Sequence, residues 1–158
     1  MMNHRHAASI AAIYFLNISF MVVLFYSWRV SYNLKRVADL KDVYYGVQFA
    51  YCAIIGTHLL MFILNIHLYI CIYKVNLSLI NLWTVSFLAL LALEAVLMIY
   101  SNILRDHVNR KFDDLCEFEV FFFSIRLVFS VIAVRFVTLF GNQYRMGMDW
   151  KERETIQL

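Results

Sequence analysis

Proline is absent from the sequence, glycine occurs only four times, and charged residues make up 16% of the chain. Each scarcity excludes something. Without proline no helix is obviously broken or kinked, whereas the substrate-binding helices of transporters are often discontinuous. No stretch rich in proline, glycine or serine separates two units, so 158 residues are expected to form a single membrane domain. The net charge of +3 is spread over short hydrophilic segments. No concentrated basic face offers itself to a nucleic acid. The three cysteines, Cys52, Cys71 and Cys116, are too few and too irregularly spaced for a disulfide framework or a metal site. Two of them lie in apolar segments, where cysteine behaves as a small hydrophobe. There is no HExxH, GxSxG or paired-carboxylate motif, so no catalytic activity, cofactor or small-molecule substrate is expected.

What remains is hydrophobic: 63% of the residues are apolar or aromatic, and the mean hydropathy of +0.67 is far above that of soluble domains. A bilayer core of roughly 30 Å needs about 20 apolar residues as a helix. Segments 7–30, 44–73, 77–104 and 118–140 meet that requirement, and a polar C-terminal tail, 141–158, follows. The first is longer than a signal peptide's hydrophobic region and has no small-residue cleavage site, so it is expected to be a retained span. Four spans joined by "SWRVSYNLKRVADLKD", "KVNLS" and "RDHVNRKFDDLCE" make sequential antiparallel neighbours. The expected fold is an all-α membrane protein, a four-transmembrane-helix antiparallel bundle.

Arg29, Lys35, Arg36, Lys41, Arg105, Arg110 and Lys111 fall in the first and third connections. Arg5, Lys74, Arg145, Lys151 and Arg153 fall on the other side, a balance that slightly favours the first set as cytoplasmic. The sequons at Asn17 and Asn76 lie in a span and in a very short loop, and neither is expected to be used.

Ionisable residues inside a span are expensive and tend to face the bundle or a polar cavity. Tyr51, His58 and Asn65 recur every seven residues, which places them in a narrow stripe on one face of the second helix. That stripe is read either as interhelical hydrogen bonding or as a path for protons or a substrate. Glu94 and Arg126 lie about 15 Å and 12 Å from the third connection at a rise of 1.5 Å per residue. Antiparallel neighbours at matching depth can pair, and the pair would fix the register of the last two helices. Glu119, seven residues before Arg126, offers that arginine a second carboxylate. Arg135 is nine residues after Arg126 and thus on nearly the opposite face. It is expected beside Asn81, Trp83 and Thr84, held by hydrogen bonds or a cation–π contact, or else reaching the lipid headgroups by bending against the usual lean of helical side chains. In the tail, Tyr144 and Trp150 suit the membrane interface, with Trp150 a candidate contact for a partner protein.

Several residues then fall into a known order. "LMF" at 60–62, Arg105 at the end of the third span, "RL" at Arg126 and Leu127, Gly141, and Trp150 followed by Arg153 and Glu154 together resemble the transmembrane protein 138 family, small four-span proteins of ciliated cells. The spacing from "LMF" through Arg105 to "RL" matches without a gap. The resemblance implies a non-enzymatic membrane protein at the ciliary base and on vacuolar or vesicular membranes. Such a protein is needed for cilium assembly and for delivery of ciliary membrane proteins, and its partners are the lipid bilayer and other membrane proteins. The alternative, from a different class, is an accessory or pore-lining subunit of a channel or transporter. Its warrant is the set His58, Asn65, Glu94 and Arg126.

Overall fold

A computed structural model describes residues 4–37, 43–74, 76–109 and 114–156. Within them the chain forms α1 (His4–Val37), α2 (Val43–Lys74), α3 (Leu77–Asn109) and α4 (Asp114–Ile156). Leucine, isoleucine, valine and aromatic side chains fill these segments without a proline to interrupt the hydrogen-bond ladder, so each helix runs uninterrupted. The α2–α3 turn is tight. The backbone N–H of Asn76 donates to the carbonyl of Cys71 at 3.1 Å, satisfying one of the carbonyls that a helix end leaves open.

The helices form a ring in which α1 and α3 each pack on both α2 and α4. The seams with α2 are the tighter ones. Buried positions recur at alternating steps of three and four residues. On α1 they are Ala8, Ala12, Phe15, Ser19, Val22, Tyr26, Arg29 and Asn33; on α4 they are Cys116, Glu119, Phe123, Arg126, Ser130, Ala133, Val137 and Phe140. The same rhythm on α2 carries Tyr51, His58 and Asn65 inward. This is the seven-residue repeat of left-handed helix packing.

The bundle is apolar outside and partly charged inside. Large hydrophobic side chains such as Phe49, Leu60, Val85, Ile103 and Phe121 are exposed on every helix flank, while Arg29, His58, Glu94, Arg105, Glu119 and Arg126 are buried. A water-soluble protein would reverse that distribution. All four helices are long and apolar enough to cross a membrane, the property expected of an integral membrane protein.

Two apolar cores brace the interior. One, towards the α2–α3 turn, is built on Phe15, Trp83 and Phe87, with the Phe15 and Phe87 rings 4.6 Å apart across the diagonal from α1 to α3. The other joins Val22, Tyr26, Val47, Tyr51 and Ile54.

Three expectations need correction. The first helix does not end near residue 30 but continues to Val37, which takes Arg29 out of the first connection and into the bundle. The fourth helix does not stop at Phe140. It runs 43 residues to Ile156, and what was read as a tail from Gly141 continues the helix. A Cβ at Gly141 would lie 3.6 Å from Ile80, three residues into α3. Residues 145–156 therefore project beyond the α2–α3 turn as about three further turns. Trp150 lies on this projection; its side chain is outside the described residues. The third correction concerns Arg135.

Candidate functional site: two buried ionic clusters

The polar residues of the interior gather at two levels. At the first, one side chain from each of three helices meets: His58 of α2, Glu94 of α3 and Arg126 of α4. The Arg126 Nη2 donates to Glu94 Oε1, and its Nη1 lies 3.5 Å from Oε2. His58 Nε2 lies 3.1 Å from Glu94 Oε1 and 3.3 Å from Arg126 Nη1. With its hydrogen on Nε2, the imidazole and the guanidinium both donate into the one carboxylate. The Arg126 guanidinium also sits over the Phe122 and Phe123 rings, 5.4 Å and 5.5 Å from their centres. Glu94 has no exposed surface at all. A lone carboxylate so placed would be very costly, and its two donors offset that.

Asn65, one heptad further along α2 than His58, accepts from the Trp83 indole Nε1 at 3.2 Å. Hence Trp83 faces the interior and is unavailable to Arg135. Arg135 itself is exposed on the outer face of α4, in a groove shared with Thr84 and Leu88. The hydroxyls beside it turn back to their own helices, Thr84 to the Ile80 carbonyl and Thr138 to the Arg135 carbonyl. The anticipated anchor is not formed among the described residues: the Trp83 indole is buried against Asn65, and neither Asn81 nor Thr84 makes a hydrogen bond to Arg135.

The second level was not anticipated. Arg29 of α1 donates from Nη2 to Glu119 Oε2 of α4 at 2.9 Å and to the Tyr51 hydroxyl of α2 at 2.6 Å. Tyr26 of α1 donates to Glu119 Oε1 at 2.6 Å. Arg105 of α3 donates from Nη1 to the Tyr51 hydroxyl at 3.1 Å. All four helices are tied together here. Glu119 is therefore engaged by Arg29 and Tyr26 rather than by Arg126, as its position in the sequence had suggested.

Arg29 and Arg105 were read as connection residues because a hydropathy window closes wherever a charge occurs. The signal that finds Arg29 is periodicity: Phe15, Val22 and Arg29 are spaced by seven, so Arg29 continues the face that Phe15 and Val22 begin. Glu119 stands seven residues before Arg126 and carries the same signal.

The arrangement binds helices to one another. Each buried ion reaches a partner on a different helix, so both levels fix register and rotation within the ring. Some polar atoms stay without a partner: Arg29 Nε and Nη1, His58 Nδ1, Asn65 Nδ2, Asn102 Oδ1 and Nδ2, and Arg126 Nε. No grouping of three histidine, cysteine, aspartate or glutamate side chains placed to hold a metal occurs among the described residues. Comparison with family models, with curated proteins and with solved structures returns no match.

Proposed function

We propose that this chain is a multi-pass membrane scaffold or trafficking protein without catalytic activity, of the kind that the transmembrane protein 138 family represents. In that role it serves cilium assembly and the delivery of ciliary membrane proteins, and it resides at the ciliary base and on vacuolar or vesicular membranes. One observation carries the reading. The buried charged side chains of the bundle are held by partners on other helices: Arg29 by Glu119, Arg105 by Tyr51, and Glu94 by Arg126 and His58. Charges used in this way specify one helix arrangement and leave the outer faces to lipid and to other membrane proteins. The family resemblance then supplies the cellular setting.

The unpartnered atoms of Arg29, His58, Asn65 and Arg126 favour a second reading, a pore-lining or accessory subunit, since a polar path needs groups not already engaged. Tagging the protein in a ciliated cell and removing it from a parallel culture tests the first reading. Concentration at the ciliary base with loss of cilia on removal is expected. Uniform plasma-membrane signal with intact cilia overturns it.

A further inference from the structure

Arg135 has no carboxylate beside it among the described residues. It is exposed on the outer face of α4, inside a segment apolar enough to span a bilayer. Its level follows from its neighbours. Gly141 packs at the level of Ile80, and Arg135 is six residues deeper on α4, about 9 Å further in. The groove around it, about 560 Å³, runs along the α3–α4 seam and is otherwise apolar apart from the two threonine hydroxyls. Those hydroxyls donate to their own backbones and carry no negative charge to balance the guanidinium. An arginine left in this position exposes a charge to hydrocarbon, a cost of several kcal/mol on insertion scales. Among the described residues no carboxylate reaches it, so the counter-charge is sought outside them.

We propose that the α3–α4 groove is a docking site for a transmembrane helix of a different protein, one that carries a carboxylate at the depth of Arg135. Charge complementarity selects the carboxylate, and direction selects the helix over a lipid. Helical side chains lean towards the N-terminus of their helix. For α4 that is towards Arg126 and the bilayer interior, away from the headgroups on the α2–α3 turn side. A carboxylate inside the bilayer meets this lean, whereas a lipid phosphate requires the side chain to bend against it. Among the described residues, a second copy in the same orientation has no carboxylate to give. Its Glu94 and Glu119 are buried and engaged, its Asp106, Asp114 and Glu117 lie at the other end of the bundle, and its acidic residues from Asp149 onward lie on the projecting end of α4. The partner's carboxylate would be as costly alone as Arg135, so association relieves both.

The proposal rests on reading the chain as a membrane-embedded scaffold. Its test concerns Arg135 alone, whereas ciliary location tests that reading separately. The full chain, labelled with a fluorescence donor, is reconstituted in phosphatidylcholine vesicles with a synthetic poly-leucine transmembrane helix bearing one glutamate a third of the way along it. A second peptide carries glutamine there. Energy transfer should show the glutamate peptide binding about tenfold more tightly than the glutamine peptide. The preference should vanish in Arg135→Gln and persist in Arg135→Lys, while far-ultraviolet circular dichroism shows the helices intact in both. Equal binding of the two peptides to the unaltered chain overturns the proposal, as does a preference that survives Arg135→Gln. A preference erased when phosphatidylglycerol replaces part of the phosphatidylcholine also overturns it, and assigns Arg135 to an anionic lipid headgroup.

Discussion

Arg29 and Glu119 stand 90 positions apart in the chain and meet at 2.9 Å in the bundle interior, with 2% and 1% of their surfaces exposed. Their bond joins the first helix to the last, which the order of connections alone leaves free to splay. Removing one partner strands the other as a buried charge, and such losses cost about 3–5 kcal/mol. Arg29→Gln and Glu119→Gln are each expected to lower the unfolding midpoint in detergent, followed by circular dichroism. Arg29→Met combined with Glu119→Leu should recover most of the loss. If either single substitution is silent, the pair does not hold α1 to α4.

The Tyr51 hydroxyl accepts from both Arg29 and Arg105 and so links three helices through one oxygen. Tyr51→Phe keeps the ring and removes that acceptor. Two guanidinium donors then lose a partner, and a loss of about 1–2 kcal/mol is expected in the same unfolding assay. Tyr26→Phe removes one bond to Glu119 and should cost less.

Much of this site is legible in the residues themselves. Tyr51, His58 and Asn65 announce an inward face by their spacing of seven, and Glu94 and Arg126 meet because equal depth on antiparallel helices is readable from residue counts. Arg29 escapes such a reading for a physical reason. Whether an arginine near a span's end is solvated or buried depends on a partner arriving from elsewhere, and Glu119 comes from the far end of the chain. The fate of Arg135 is hidden for the converse reason. Trp83 and Thr84 are correctly at its level, but a residue count does not show that the indole turns inward to Asn65. The length of α4 is likewise obscured, since polarity after Gly141 ends the membrane segment without ending the helix.

Two glycines of α2 should respond oppositely to the same change. A Cβ at Gly46 would stand 2.9 Å from Leu104 Cδ1 and 3.3 Å from the Tyr100 hydroxyl, so α2 and α3 approach closely there. A Cβ at Gly56 meets nothing within 4 Å. Gly56→Ala should stabilise the bundle by a few tenths to about 1 kcal/mol through helix propensity. Gly46→Ala should gain nothing, because Leu104 must move to admit the methyl group. Unfolding midpoints of the two variants, compared side by side, check the difference.

The central claim is that the charges inside the bundle are structural fasteners, and Glu94 with Arg126 offers its most direct test. Measured together, steady-state abundance in cells and proton or ion flux in reconstituted vesicles decide it. The account predicts that Glu94→Gln and Arg126→Gln each reduce abundance, that the double substitution restores it, and that flux is the same in all forms. Unchanged abundance in the single variants, with flux altered, would contradict it and make the interior a conducting path.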